Sequence, residues 1–101
     1  MLIYNVTTKI DPSIHEKWVN WMKESHIPAV MQTGSFTHYN FVRILDIDDT
    51  DGPTYAVQYF IENRSSYEQY LQTHASSLRQ DSIELWGSLT IGFRSLMAVV
   101  N

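Results

Sequence analysis

Apolar, β-branched and aromatic positions dominate Leu2-Ile3-Tyr4-Asn5-Val6-Thr7-Thr8-Lys9-Ile10, which predicts a strand. The run stops at Asp11-Pro12, where Asp can cap a helix and Pro suits its first turn. Ile14, Trp18, Trp21, Met22 and Ser25 then recur at helical spacing, with Glu16, Lys17, Lys23 and Glu24 pointing elsewhere. Pro28 disfavours helical geometry at Ile27 and removes a donor, so this helix is predicted to end or kink around His26-Ile27 and resume as a short turn to Gly34. Phe36 to Leu45 and Thr54 to Ile61 read as two strands of a hairpin around the acidic loop from Asp46 to Pro53. Ser65-Ser66-Tyr67-Glu68 reads as a capping box. It opens a second helix whose face carries Tyr67, Tyr70, Leu71, His74 and Leu78, with a break expected near His74-Ala75 and an end at Gly87. Leu89 to Val100 closes the chain as a strand.

The order β-α-β-β-α-β over a single domain, 1–101, predicts an α+β, ferredoxin-like antiparallel sheet with both helices on one face. Right-handed crossovers give the strand order 4-1-3-2. Alternation splits each strand into two sets. Leu2, Tyr4 and Val6 oppose Ile3, Asn5 and Thr7, and Tyr55, Val57, Tyr59 and Ile61 oppose Thr54, Ala56, Gln58 and Phe60. On the last strand Leu89, Ile91, Phe93 and Met97 oppose Thr90, Gly92, Arg94, Leu96 and Ala98. Neither set reads as a solvated face, and the helix-free face mixes small, amide and apolar side chains where water would call for long charged ones, so a second copy of the chain is expected to cover it, making a homodimer.

Composition narrows the partners. Seven Lys and Arg against eleven Asp and Glu give a net charge of −4, which supplies no basic footprint for nucleic acid or an anionic membrane. The absence of Cys excludes disulfide scaffolds, thiolate zinc sites and thiol nucleophiles. The first eight residues lack the basic and apolar regions of a signal peptide. The longest apolar run, Leu96 to Val100, is far short of a membrane span. A cytoplasmic protein is the expectation.

The acidic loop fails as a calcium site, because counting from Asp46 places Asp51 where an EF-hand needs Gly and Val57 where it needs Glu. His15, His26, His38 and His74 show no i, i+4 pair, so no metal site is assigned. His15, beside Glu16, is expected at the surface, and His74 falls on the apolar stripe of the second helix. His26 sits where Pro28 is expected to break the first helix, either capping it or acting as acid, base or donor in a cavity between helix and sheet. Trp18 and Trp21, three apart, are expected to pack in the core, the alternative being that one of them lines a cleft or an interface. Asn5, Gln58 and Arg94 lie on three adjacent strands, and parity can place all three on one face. A buried Arg there needs either protein carboxylates or a ligand anion. Tyr39 and Arg43 form a similar pair nearer an edge.

Taken together, Ile3-Tyr4-Asn5-Val6-Thr7, Trp18-x-x-Trp21-Met22-Lys23-x-x-His26-Ile27-Pro28, Gly34-x-Phe36, Tyr55-x-x-Gln58-Tyr59, Tyr70-x-x-x-His74-Ala75-x-x-Leu78-Arg79 and Phe93-Arg94 form an ordered set. In that set the chain resembles a family of small bacterial proteins catalogued only as a domain of unknown function (number 4286). The resemblance implies the dimeric α/β-barrel superfamily, which holds cofactor-free monooxygenases, haem enzymes and ligand-binding regulators. The Tyr70, His74 and Leu78 segment is similar to the second helix of the antibiotic-biosynthesis monooxygenase group, without that group's second histidine shortly after the first.

Three functions are weighed. In the first, a small anionic or aromatic molecule binds in a subunit pocket with Arg94, Asn5 and Gln58 as polar anchors and His26, Trp18 and Tyr59 at the rim. In the second, the chain is a monooxygenase or isomerase needing no cofactor, with His26 or His74 moving a proton on an aromatic or enolisable substrate. In the third, it is a structural or interaction subunit, favoured if Arg94 is fully paired with protein carboxylates and no cavity exists.

Overall fold

The computed structural model describes residues 1–101. Its elements are β1 (Leu2–Ile10), helix α1 (15–32), β2 (His38–Arg43), β3 (Thr54–Ile61), helix α2 (64–86) and β4 (Thr90–Ala98). The four strands form one antiparallel sheet in the order β2-β3-β1-β4, which is the ferredoxin-like arrangement expected from the sequence. Both helices pack on one face of it. No helix is long and apolar enough to cross a membrane.

Both helices depart from the expected local detail in the same way. α1 does not end at His26-Ile27: it is α-helical over His15–Trp21, π-helical over Met22–His26 and α-helical again over Ile27–Gln32. The Ile27 amide donates to the Met22 carbonyl, five residues back. That wider turn carries the chain into Pro28 without the break its ring imposes on a regular helix. Gly34, with φ of 76°, turns the chain out of the helix. α2 opens two residues before the expected capping box: the Asn63 side chain accepts from the Ser66 amide at 2.9 Å. It then widens into a second π-helical turn over Leu71–Ala75, where the break was expected, and continues over Ser76–Trp86.

The core lies between the helices and the inner face of the sheet. Ile10, Ile61, Ile27, Val30, Val57 and Trp18 are all essentially inaccessible. At one end four aromatic rings fill the space, with Phe36 against Tyr59 and Tyr70 at centroid distances of 5.1 and 4.7 Å and Tyr4 within about 6 Å of all three.

β4 inverts the usual pattern. Its inner positions are Thr90, Gly92 and Arg94, opposite Ile10, Thr8 and Val6 of β1. Its outer positions include Ile91 and Phe93, whose exposures are 74% and 63%. Small and polar side chains therefore face the helices at this edge, while large apolar ones face solvent. A Cβ at position 92 would fall 2.6 Å from the Thr7 carbonyl oxygen, so β4 approaches β1 at Gly92 too closely for any side chain.

Candidate functional site

The inner set on β4 leaves space unfilled. A cavity of about 330 Å³ lies between α2, α1 and the inner face of the sheet, at the lower end of the range for small-molecule sites. Tyr4, Val6 and Thr8 of β1 and Tyr55, Val57 and Tyr59 of β3 form its floor. Trp18, Met22, His26 and Val30 of α1 close one side, and Tyr70, Leu78, Arg79, Ser82 and Ile83 of α2 close another. Gly92 and Arg94 lie along β4.

Two guanidinium groups stand on this aromatic wall. Arg79 donates from Nη2 to the Tyr4 hydroxyl at 3.1 Å, while its Nε is buried with no partner. Arg94 is exposed on the β4 side. The two ion pairs of the chain, Lys9 with Asp51 and Arg43 with Asp49, involve neither. The cavity thus carries positive charge that no protein carboxylate neutralises.

The phenols add donors. Burial pushes the Tyr59 hydroxyl well above the usual phenol range, reinforced by the neighbouring Tyr70, Tyr4 and Tyr39. Tyr70 is raised as well, by burial and by Tyr4, against a smaller opposing effect of Arg79 and Arg94. Both keep their protons at ordinary pH. The Tyr59 hydroxyl has no hydrogen-bond partner in the protein, although the residue is only 2% exposed.

His26 lies on the wall of this cavity and also of a second cleft, about 270 Å³, lined on its outer side by Trp21, Ser25, Asp81 and Glu84. Its ring stacks on Trp21 at a centroid distance of 4.7 Å. Burial lowers its pKa below the ordinary value of 6.5; Asp81 opposes the shift and Arg94 adds to it. A neutral imidazole results, able to accept or donate one proton.

The residues singled out in the sequence divide into two groups. Arg94, His26, Trp18 and Tyr59 all lie on the cavity wall, and Trp18 and Tyr59 are buried parts of it rather than its rim. Asn5 and Gln58 face the other way. They oppose each other in register, with Ser95 the partner of Asn5 on β4, whereas Arg94 opposes Val6. Residues directly opposite share a face, so the three proposed anchors do not converge. Asn5 instead donates from Nδ2 to the Thr7 hydroxyl at 2.9 Å on the outer face.

His74 is not on either wall. The π-helical turn inserts one residue into α2, so the buried position after Tyr70 is Ala75, and Leu78, Arg79 and Ser82 follow it into the cavity. His15, expected at the surface, is half-buried, with Nε2 2.6 Å from the Tyr55 hydroxyl. Of the tryptophans, Trp21 lines the outer cleft and Trp18 the inner cavity. Arg79, Tyr4 and Tyr70 were missed as site residues. Arg79 follows Leu78 on the apolar stripe, and a cation there is the one signal that could have marked it.

The fold recurs in solved structures of low sequence identity. A dimeric ferredoxin-like protein from an uncultured marine organism has a TM-score of 0.75 at 10% identity, with 99% of this chain and 96% of that one covered. An antibiotic biosynthesis monooxygenase has a TM-score of 0.70 at 16% identity, with both chains fully covered. SnoaB, a cofactor-independent oxygenase from Streptomyces nogalater, has a TM-score of 0.67 at 9% identity, covering 99% of this chain and 93% of that one. At these identities the likeness establishes the ferredoxin-like fold alone. No curated protein matches the chain. A family model does match, over residues 1–100, and the chain belongs to that family, described as Domain of unknown function (DUF4286).

Proposed function

We propose that this protein binds a small anionic, aromatic molecule in the cavity between its helices and its sheet. The observation that carries the reading is the presence of Arg79 and Arg94 on an aromatic wall with no carboxylate partner. A guanidinium held at an apolar cavity favours an anion, and the rings of Tyr4, Tyr59, Tyr70 and Trp18 favour a flat apolar body. A purely structural role leaves the cavity itself without an account.

The binding unit is a homodimer in this reading. The helix-free face carries Ile3, Asn5 and Thr7, then Ala56, Gln58 and Phe60, then Ile91, Phe93 and Met97, with no acidic residue among them. Such a face, with Ile91 and Phe93 largely exposed, suits burial against a second copy. The marine neighbour described as dimeric has the same fold.

Arg94→Met tests the binding reading. The variant should keep the helix and sheet signature and the dimer mass while losing retention of aromatic acids such as cinnamate. Unchanged binding would sink the assignment. A second reading, catalysis without a cofactor on an aromatic or enolisable substrate, draws on the neutral His26 at the wall and on the oxygenase neighbours. Oxygen uptake with quinol-like substrates, lost in His26→Phe, would favour it over binding alone.

A further inference from the structure

We infer that a row of amides across the middle of the helix-free face fixes how two copies of the chain dock, Gln58 and Asn5 of one copy bonding to the same row of the other. The inference rests on the homodimer of the proposed function and goes beyond it by naming the groups that set its orientation.

Asn40 opposes Gln58, Gln58 opposes Asn5, and Asn5 opposes Ser95, so four hydrogen-bonding side chains form one unbroken row across all four strands. The row on one side of it is His38, Phe60, Ile3 and Met97, and the row on the other is Val42, Ala56, Thr7 and Phe93. Apolar side chains dominate both. A polar stripe thus runs between two apolar ones, and its middle pair, Gln58 and Asn5, stands on the two central strands.

The Asn5 Nδ2 donates to the Thr7 hydroxyl at 2.9 Å, which leaves the Asn5 carbonyl oxygen for another donor. Gln58 and Ser95 are half-buried and Asn40 is exposed. The orphaned buried side-chain atoms of the chain lie elsewhere, at Tyr59, Arg79 and Trp86, so the polar ends of this row reach the surface. A wholly apolar cover would bury them without partners, which folded proteins avoid. A second copy is different, because a two-fold interface brings the same patch against itself and an amide offers both a donor and an acceptor. Rows about 7 Å apart on strands about 4.8 Å apart give a face of roughly 20 by 25 Å. Two such faces approach, as accessible surface, the roughly 1,200 Å² at which stable interfaces begin. The apolar rows supply an attraction without preferred direction, and the amide row supplies the direction.

Sedimentation of the full-length protein over a dilution series, fitted for the dimer dissociation constant, tests the assignment. The unaltered protein should be a dimer. Gln58→Leu should raise the constant about thirtyfold, since the two-fold removes one hydrogen bond twice. Gln58→Glu brings two carboxylates together, so it should associate far more weakly than the unaltered protein at pH 8 and regain affinity relative to it at pH 4, where the acid is protonated and donates as an amide does. Of the paired positions on this face only His38 and Lys9 are otherwise titratable, and the unaltered protein measured at both pH values accounts for them. A Gln58→Leu dimer as tight as the unaltered one, or tighter, would overturn the role of the amide row while leaving the homodimer standing. A monomeric unaltered protein would overturn the homodimer itself and leave the face to a different partner. Circular dichroism checks each fold, and Asn40→Asp, exposed on the edge strand, should show the same pH-dependent loss if neither Gln58 variant folds.

Discussion

Removing the Tyr59 hydroxyl should make the unliganded protein more stable. Tyr59→Phe deletes one oxygen from a side chain that is 2% exposed and leaves the ring in contact with Phe36 and Tyr4. In most buried tyrosines that deletion breaks a hydrogen bond and costs about 1 kcal/mol. Here no bond is present to break, so the change removes the desolvation cost of an unpartnered group, about 1–3 kcal/mol. For a domain of this size each kcal/mol raises Tm by roughly 4–8 °C. Tyr4→Phe is the matched control, because the Tyr4 hydroxyl accepts from Arg79 and its loss leaves another guanidinium donor unsatisfied. It should lower Tm. Thermal and urea melts followed by circular dichroism, at one protein concentration so that association does not shift the midpoint, measure both variants. A lower Tm for Tyr59→Phe would mean that the hydroxyl is bonded in the free protein, which would refute the reasoning.

Burial depresses the His26 pKa, so the unfolded chain takes up a proton at the ordinary value of 6.5 before the folded one does. His26 therefore contributes stability above about pH 6.5 that is lost as the pH falls through 6.5 towards its lower folded value. His26→Phe should flatten that part of the stability profile, and an unchanged slope between pH 5 and 7 would count against it. Gly52→Ala should destabilise the fold by on the order of 1–3 kcal/mol, since φ is +130° and the new Cβ would fall 1.8 Å from the Ile10 carbonyl oxygen. Denaturant melts showing less than about half a kcal/mol of loss would contradict that strain. Ile91→Lys, on the outer face of β4, should yield a folded monomer by native mass spectrometry; an intact dimer would place the interface elsewhere.

The strands and their order were readable because alternation of side chains is a property of the backbone and survives whatever packs on it. β3 occupies Thr54–Ile61, the stretch that its β-branched and aromatic run marks out. Register was not readable. Each strand's two sets could be written down, yet which set of β4 shares a face with Asn5 depends on a pairing that a one-residue slip reverses. The observed pairing of Arg94 with Val6, not Asn5, is what parts the expected anchors. The helices hid a similar offset. Two π-helical turns each shift the helical phase by one residue, and no periodicity of 3.6 anticipates them. One keeps α1 continuous through Pro28, and the other turns Ala75 rather than His74 towards the core.

These offsets bear on the same place. Without the turn at Leu71–Ala75, the stripe through Tyr70 would continue to His74 and Leu78; with it, Arg79 and Ser82 reach the cavity. Gly92 and Thr90 leave that space open from the sheet side, and the inverted β4 puts its apolar bulk on the outer face instead. A lone subunit that maximised its own stability would fill the inner face and keep Ile91 and Phe93 out of water. Local rules that fail together around one cavity are best read as serving that cavity, since such departures persist where function compensates for them. The same logic is testable: cinnamate, if it occupies that space, should raise Tm in the unaltered protein more than in Arg94→Met. If both gain equally, Arg94 is no part of a site and the open space is a packing defect.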